Sequence, residues 1–278
     1  MSPIATYICN RLHQSYSRQE ALALTRIVCC EMLGQRVVDF YVGKDIILSS
    51  KEEAELDSIL SRLLKFEPVQ YIQGEVRFFG RTFKVASGVL IPRPETEELV
   101  EVVLTYLSPA AHILDIGTGS GCIAVTLSKE VSRSEVTAWD ISEQALTLAY
   151  ENNLLLGGNV RFEQHDVLQY KPDEKAVYDA IVSNPPYVLQ KERMNMEHNV
   201  LDWEPELALF VPDDDPLLFY RHIAQLGLHL LKPTGRIFFE INRAFGQLIV
   251  EMLLEMGYST AEVKKDISGN DRIVIAER

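Results

Sequence analysis

The stretch HILDIGTGSG, residues His112–Gly121, decides the fold of this 278-residue chain. Its mainly apolar first half is typical of a buried strand, and a glycine-rich turn then leads into an apolar helical run. Glycine permits positive φ and a close approach of the backbone to a ligand, while the start of a helix offers free N–H donors. The stretch therefore predicts a ligand-binding turn. Cys122 stands where the dinucleotide fingerprint G-x-G-x-x-G has its last glycine, so the spacing differs from that fingerprint.

Strands and helices alternate around this turn. Such alternation predicts a parallel sheet covered on both faces, with the last two strands closing as an antiparallel hairpin. We therefore expect a seven-stranded, Rossmann-like α/β domain over residues 94–278. The predicted strands are His112–Ile116, Glu135–Trp139, Val160–Gln164, Asp179–Ser183, Arg236–Ile241, Tyr258–Lys264 and Arg272–Ala276. The predicted helices are Glu97–Leu107 after Pro94, Cys122–Lys129, Glu143–Leu156, Pro216–Leu231 and Phe245–Met256.

The front of the chain has a different pattern. Residues 1–73 predict a small helical domain, in which Ser17 with Glu20 and Ser50 with Glu53 form capping boxes. The first box opens a helical run from Ala21 to Leu33 that Gly34 closes, and the run after Ser50 has leucines and isoleucine at helical spacing. Residues 74–93 predict a β-hairpin that joins the two domains. The helical domain serves either as a stabilising cap or in partner recognition, and the sequence leaves both open.

Composition limits the classes of partner. The chain has 27 Lys and Arg against 40 Asp and Glu, for a formal net charge of −13. Tracking a phosphate backbone needs clustered cations, so this balance argues against nucleic acid and favours a protein partner. No run of ~18 apolar residues suits a membrane span, and no secretory signal is recognisable, so we expect a cytoplasmic protein. The four cysteines show no metal-ligand spacing, and we expect no metal.

The pattern Asp-x-Gly-x-Gly-x-Gly at Asp115–Gly121 resembles the first motif of Rossmann-like methyltransferases that use S-adenosylmethionine (SAM). In that family the loop holds the methionine end of SAM, and the strand carboxylate binds nearby polar groups. Asp140 ends the next strand, ~20 residues on, where an acid meets ribose hydroxyls. Asp166 is similar to the family's adenine-side acid, with Val167 or Leu168 against the ring. The resemblance implies SAM binding by Asp115, Gly117, Thr118, Gly119, Ser120, Gly121, Asp140, Asp166, Val167 and Asn184.

A second motif, Asn184-Pro185-Pro186-Tyr187, follows the strand Asp179–Ser183 directly. Because proline has no N–H, the carbonyls here lack local donors. A planar –NH2 group is a poor nucleophile, since resonance delocalises its lone pair. If the Asn184 side-chain oxygen and the Pro185 carbonyl accept its two N–H bonds, the nitrogen is held in line with the SAM methyl group. Tyr187 is expected to lay its ring on the planar substrate. No general base is apparent.

Several segments in order resemble the bacterial release factor glutamine methyltransferase family, also called HemK. The resemblance covers nearly the whole chain and implies methylation of the side-chain amide of the glutamine in the Gly-Gly-Gln loop of class 1 peptide chain release factors. Relatives commonly have Glu-His-Gly where this chain has Glu240-Ile241-Asn242, and we expect this departure to affect the local turn geometry more than the chemistry, because these residues lie outside both motifs. The matching segments are Ile91–Glu97, Asp115–Gly121, Asn184–Tyr187, Glu204-Pro205 with Ala208-Leu209, and Gly269–Arg272.

Other functions share these motifs. DNA adenine methyltransferases also carry Asn-Pro-Pro-Tyr and must flip out their target base, but the acidic charge weighs against them. A glutamine methyltransferase of a ribosomal protein shares both motifs, and resemblance alone favours the release factor. A non-enzymatic module on the same fold is a third possibility, against which both intact motifs speak. The long interval Val188–Asp215 is interpreted as a lid or substrate-contacting segment, or as a solvated loop with a short helix.

Overall fold

The computed structural model describes residues 1–172 and 177–278, which form two compact units. The first unit contains Met1–Gly74 together with Glu197–Trp203, and the second contains Glu75–Met196 and Glu204–Arg278. Within the described residues, no helix is long and apolar enough to cross a membrane. In the same part of the chain, no group of three or more His, Cys, Asp or Glu side chains is placed to hold a metal ion.

The first unit is helical, as the sequence predicts. Ile8, Leu12, Val28, Leu60 and Leu63 are all nearly or fully buried in its core. Its helices are α1 (Pro3–Leu12), α2 (Arg18–Ile27), a π-helical turn (Val28–Met32), α3 (Val37–Tyr41), α4 (Ser50–Leu63) and α5 (Val69–Gln73).

Three details of its helices differ from the prediction. The capping box of α4 lies at Ser49 and Glu52, one residue earlier than expected, because the Ser49 hydroxyl accepts from Glu52 N and the Glu52 carboxylate accepts from Ser49 N. The run expected to continue as one α-helix to Leu33 changes to the π-helical turn after Ile27. At α2 only the Ser17 half of the predicted box forms, with its hydroxyl accepting from the backbone N–H of Glu20.

A short segment from the middle of the chain belongs to this first unit. It carries α9 (His198–Leu201) and ends at Trp203. The Trp203 indole N–H donates to the Lys65 carbonyl at 3.0 Å, and the His198 ring lies 5.3 Å from the Phe66 ring. The interval Val188–Asp215, interpreted from the sequence as a lid or substrate-contacting segment or as a solvated loop with a short helix, is therefore divided between the two units.

The second unit begins with the predicted β-hairpin, in which β1 (Glu75–Phe78) pairs antiparallel with β2 (Arg81–Lys84). Its main sheet has the seven strands expected, which are β3 (His112–Ile116), β4 (Glu135–Asp140), β5 (Val160–Gln164), β6 (Tyr178–Ser183), β9 (Leu231–Glu240), β10 (Thr260–Lys265) and β11 (Asp271–Glu277). Their order in the sheet is β10-β11-β9-β6-β3-β4-β5. Neighbouring strands from β9 to β5 are parallel, and β10 and β11 form the predicted antiparallel end.

Helices cover both faces of this sheet. Side chains alternate along a strand, so Ile113 of β3 packs in one apolar layer and Leu114 in the other. The helix before β9 ends at Leu230, and β9 starts at Leu231 rather than at the predicted Arg236. The reason is that Leu231 already pairs with Tyr178 of β6, ahead of a register shift. The helices are α6 (Pro94–Tyr106), α7 (Cys122–Glu130), α8 (Glu143–Leu156), α11 (Leu218–Leu230) and α12 (Gly246–Met256).

The remaining elements lie between β6 and α11. β7 (Val188–Leu189) pairs in parallel with β8 (Phe210–Val211), and a 3-10 helix (Gln190–Asn195) and α10 (Glu206–Leu209) lie between them in sequence. In the main sheet the chain runs outward from β3 to β5 and then returns to β6 on the other side of β3. In an open α/β sheet, the crevice at such a reversal, beyond the carboxyl ends of the strands, is where ligands bind.

Candidate active site

The glycine-rich loop forms the tight turn that the sequence predicts. Gly117, Gly119 and Gly121 have φ of 77°, 55° and 80°, a left-handed conformation that glycine adopts without strain. A Cβ at Gly121 would lie 3.0 Å from the Cβ of Ala149, so glycine there also lets the start of α7 approach α8. The Gly117 N–H donates to the Trp139 carbonyl at 2.8 Å, which ties the loop to the end of β4.

Asp115 lies beneath this loop. Its side chain is fully buried, and its Oδ2 accepts from the Thr118 hydroxyl at 2.6 Å. Burial raises the pKa of this carboxyl to about 7. Among the described residues nothing donates to its other oxygen. Asp115 and Gly121 do not line the adjacent cavity, unlike Gly117–Ser120, and the Asp115 carboxyl contacts Thr118 instead.

A cavity of about 470 Å³ opens beyond the carboxyl ends of β3, β4 and β6. It brings together most of the residues that the sequence singled out as a site, and Pro205, Leu207 and Ala208 of the interval Val188–Asp215 also line it. The predicted residues at its wall are Gly117, Thr118, Gly119, Ser120, Asp140, Asp166, Val167, Asn184, Pro185 and Pro186.

Two acids are fixed at the cavity wall by backbone donors. Asp140 accepts from the N–H groups of Gly119 and Ser142, each at 2.9 Å, and burial raises its pKa. The N-cap of α8 is Ser142, whose hydroxyl accepts from the Ala145 N–H, so Asp140 is not the N-cap of that helix. Asp166 accepts from the N–H of Leu168 at 2.9 Å. Both carboxylates are therefore oriented before any ligand arrives.

Asn184 is half-buried at the end of β6, and its carboxamide is tied to a buried acid. Its Nδ2 donates to the Thr96 hydroxyl oxygen at 3.3 Å, and the Thr96 hydroxyl donates to Glu240 Oε2 at 2.7 Å. The Tyr187 hydroxyl donates to the other oxygen of Glu240 at 3.1 Å. Across the residues that the structure describes, neither Asn184 Oδ1 nor the Pro185 carbonyl accepts a hydrogen bond. Both oxygens belong to residues that line the cavity.

Tyr187 lies beside the main cavity rather than in its wall. It lines a smaller hollow that shares Leu90, Arg93, Asn184 and Ala208 with the main cavity. Its ring packs partly against the apolar core, and burial and the neighbouring Glu240 carboxylate raise the pKa of its phenol. The hydroxyl proton is donated to Glu240, so the hydroxyl could only accept a hydrogen bond from another group.

The segment Glu240-Ile241-Asn242, predicted to bear on turn geometry more than on the chemistry, contacts the second motif. Glu240 joins Thr96 to Tyr187, and Asn242 Nδ2 donates to the Tyr187 carbonyl at 3.3 Å. Thr96 and Glu240 are the site residues that the sequence reasoning missed. The available signal was position, because Glu240 ends a strand on the same edge as both motifs.

A second buried acid, Glu204, connects two of the segments that carry the family resemblance. Glu204, whose side chain is 1% exposed, pairs with Arg93 at 2.6 Å and accepts from the Ile91 N–H at 3.3 Å. The segment Ile91–Glu97 and the pair Glu204-Pro205 were noted in the sequence without a physical role. The pairing holds both segments at the cavity.

The fold and the site together define the class: a Rossmann-like, SAM-dependent methyltransferase. Residues 94–203 match the family "Methyltransferase small domain" and residues 5–74 match "PrmC N-terminal domain". A release factor glutamine methyltransferase of Bacteroides thetaiotaomicron is 52% identical over 278 residues, covering 100% of both chains. One from Flavobacterium psychrophilum is 43% identical and covers 85% of each. The chain belongs to the release factor glutamine methyltransferase family.

Solved structures support the fold. A methyltransferase from Pyrococcus furiosus has a TM-score of 0.53 at 16% identity and covers 82% of this chain and 98% of its own. A 16S rRNA methyltransferase from T. thermophilus, solved in complex with AdoMet and guanosine, has a TM-score of 0.52 at 19% identity, covering 73% of this chain and 49% of its own. Both likenesses concern the fold alone.

Proposed function

We propose that this chain transfers a methyl group from SAM to the side-chain amide nitrogen of the glutamine in the Gly-Gly-Gln loop of class 1 peptide chain release factors. The observation that carries the proposal is a pair of acceptors, Asn184 Oδ1 and the Pro185 carbonyl, that receive no hydrogen bond from the described residues and belong to residues lining the same cavity as the glycine-rich loop. The names of the curated relatives support the same substrate.

The cavity fits SAM by its size and by its donor set. Its volume of about 470 Å³ lies in the range of small-molecule sites. Because Gly117 and Gly119 have no side chains, a ligand in the cavity can approach the loop backbone closely. We assign the methionine end of SAM to the loop Gly117–Ser120, the ribose hydroxyls to Asp140, and the adenine to Asp166 and Val167. When bound, SAM supplies a methyl group on a sulfonium, whose sulfur leaves as a neutral thioether.

The acceptor amide is activated by its position. A primary amide has two N–H bonds in one plane, and Asn184 Oδ1 and the Pro185 carbonyl provide one acceptor for each. Held by both, the nitrogen keeps its lone pair directed at the cavity and can pyramidalise as the new N–C bond forms. The methylated nitrogen is acidic and releases its extra proton to water. No general base from the chain is therefore required.

The protein partner is assigned to the helical first unit. Val38 and Tyr41 of α3, and Val42 directly after it, are each about 70% accessible. Exposed apolar side chains that lie close together mark surfaces where proteins associate. Partner recognition, rather than the role of a stabilising cap, is therefore our proposal for this unit.

The test is transfer of a deuterated methyl group from labelled SAM to a purified class 1 release factor, followed by peptide mass spectrometry. The expected product carries one label on the glutamine of the Gly-Gly-Gln peptide, and a release factor with that glutamine changed to alanine stays unlabelled. Parallel incubations with ribosomal proteins and with DNA complete the design. Label on either of these, and none on the release factor, would refute the proposed substrate.

A further inference from the structure

We infer that Thr96 and Glu240 are positioning residues that fix which end of the Asn184 carboxamide faces the substrate. This inference rests on the proposed function, because it concerns the residue that holds the acceptor amide. The three side chains come from three places: the first turn of α6, the end of β9 and the residue after β6.

The register of the sheet brings these residues together. β6 and β9 are neighbouring parallel strands, and Ser183 of β6 lies opposite Phe239 of β9. The next residue on each strand is therefore Asn184 and Glu240, side by side at the carboxyl edge. Pro94 starts α6, and Thr96 in its first turn reaches between them.

The direction of the hydrogen bonds follows from donor and acceptor chemistry. A carboxylate can only accept, and each oxygen of Glu240 receives one hydroxyl proton, from Thr96 or from Tyr187. A hydroxyl has one proton, so the Thr96 oxygen can only accept from Asn184. The carboxamide must then present its NH2 group to Thr96, and its oxygen is directed away from Thr96.

Glu240 is suited to impose this order because it is buried and held on both oxygens. It is 1% exposed, and a buried carboxylate is stable only where donors or charges compensate its lost hydration. Burial raises the pKa of the Glu240 carboxyl, and the two hydroxyl donors Thr96 and Tyr187, together with the nearby Arg272 guanidinium, oppose that shift and favour its charged form. Rotating the Thr96 hydroxyl toward Asn184 would leave one oxygen of Glu240 without its donor.

The orientation decides whether the acceptor amide binds correctly. With Oδ1 directed away from Thr96, Asn184 accepts an N–H bond from the substrate –NH2. A reversed carboxamide would place its own NH2 group against that –NH2, and two donors cannot bond to each other. The expected effect of losing the relay is slower methyl transfer with unchanged cofactor binding.

The test compares Thr96→Val, which has nearly the same shape but no hydroxyl, with Thr96→Ser, which keeps it. We expect Thr96→Val to lower kcat about 10-fold or more, Thr96→Ser to restore most of it, and the SAM dissociation constant to stay within about twofold in both. Thr126→Val is the matched control, because Thr126 is a fully buried threonine of α7 outside the cavity wall. It should leave kcat unchanged.

A double variant separates positioning from a general effect on packing. If Thr96 acts only through Asn184, then Thr96→Val added to Asn184→Ala should cost no further activity, whereas independent effects would multiply. Multiplying losses, an unchanged kcat in Thr96→Val, or weakened SAM binding would each overturn the inference.

A readout without substrate keeps this inference separate from the proposed function. In ¹⁵N-labelled protein, the Asn184 side-chain NH2 signal, identified by its loss in Asn184→Ala, should shift and exchange faster with water in Thr96→Val than in Thr96→Ser. An unchanged signal would overturn the relay even if the release factor is methylated. A wild-type protein that binds SAM but leaves the release factor unlabelled would refute the proposed function alone.

Discussion

Substituting Asp115 by asparagine should change how stability depends on pH. Burial raises the pKa of Asp115 to about 7 in the folded chain, against about 4 for an unperturbed aspartate. The folded state therefore holds the proton more tightly than the unfolded state. Protonation of Asp115 therefore contributes to the free energy of unfolding. This contribution is fully present below the pKa of Asp115 in the unfolded chain and is lost as pH rises through its pKa in the folded chain. Between pH 5 and pH 8 the loss amounts to about 3 kcal/mol.

The assay is urea unfolding at several pH values, with wild type and Asp115→Asn compared in a Trp203→Phe background. Trp203 belongs to the first unit, so the buried Trp139 then reports on the second unit alone. We expect wild type to lose about 3 kcal/mol relative to the asparagine variant from pH 5 to pH 8. If the free energies of unfolding of the two proteins change in parallel over that range, the claim that ionisation of the buried Asp115 carboxyl destabilises the folded state is refuted.

Three further substitutions have separate readouts. Asn184→Ala should retain SAM binding by calorimetry but lose methyl transfer by at least ~100-fold, and full turnover would exclude its assigned role. Asp140→Ala should weaken SAM binding about 10-fold or more in the same calorimetric assay, because it removes charged acceptors, and an unchanged affinity would exclude it from the cofactor site. Glu204→Ala should lower the stability of the second unit to urea by about 2 kcal/mol, since it removes two hydrogen bonds and leaves Arg93 unpaired, and an unchanged midpoint would contradict that.

The sequence predicted the sheet and both motifs because their signals are local. Apolar alternation and turn residues indicate β3 and the loop after it within ten residues, and the glycines of that loop have the positive φ expected. The motif Asn184–Tyr187 is likewise recognisable within one short segment. The capping box was misplaced by one residue because Ser49 and Ser50 are each followed three residues later by a glutamate, so both satisfy the same local rule.

What the sequence did not predict depends on contacts between distant segments. Thr96 and Glu240 are 144 residues apart, and only the pairing of β6 with β9 brings Glu240 beside the second motif. Asp115 was expected at the ligand, but its side chain lies under the loop, a distinction that a strand pattern does not contain. The assignment of Glu197–Trp203 to the helical unit is a tertiary contact of the same kind.

The most direct measurement of the central claim is a structure of this chain bound to a class 1 release factor and the demethylated cofactor. We expect the glutamine side-chain nitrogen within about 3.2 Å of both Asn184 Oδ1 and the Pro185 carbonyl. A glutamine nitrogen held by other groups, or an Asn184 oxygen turned toward Thr96, would contradict the account.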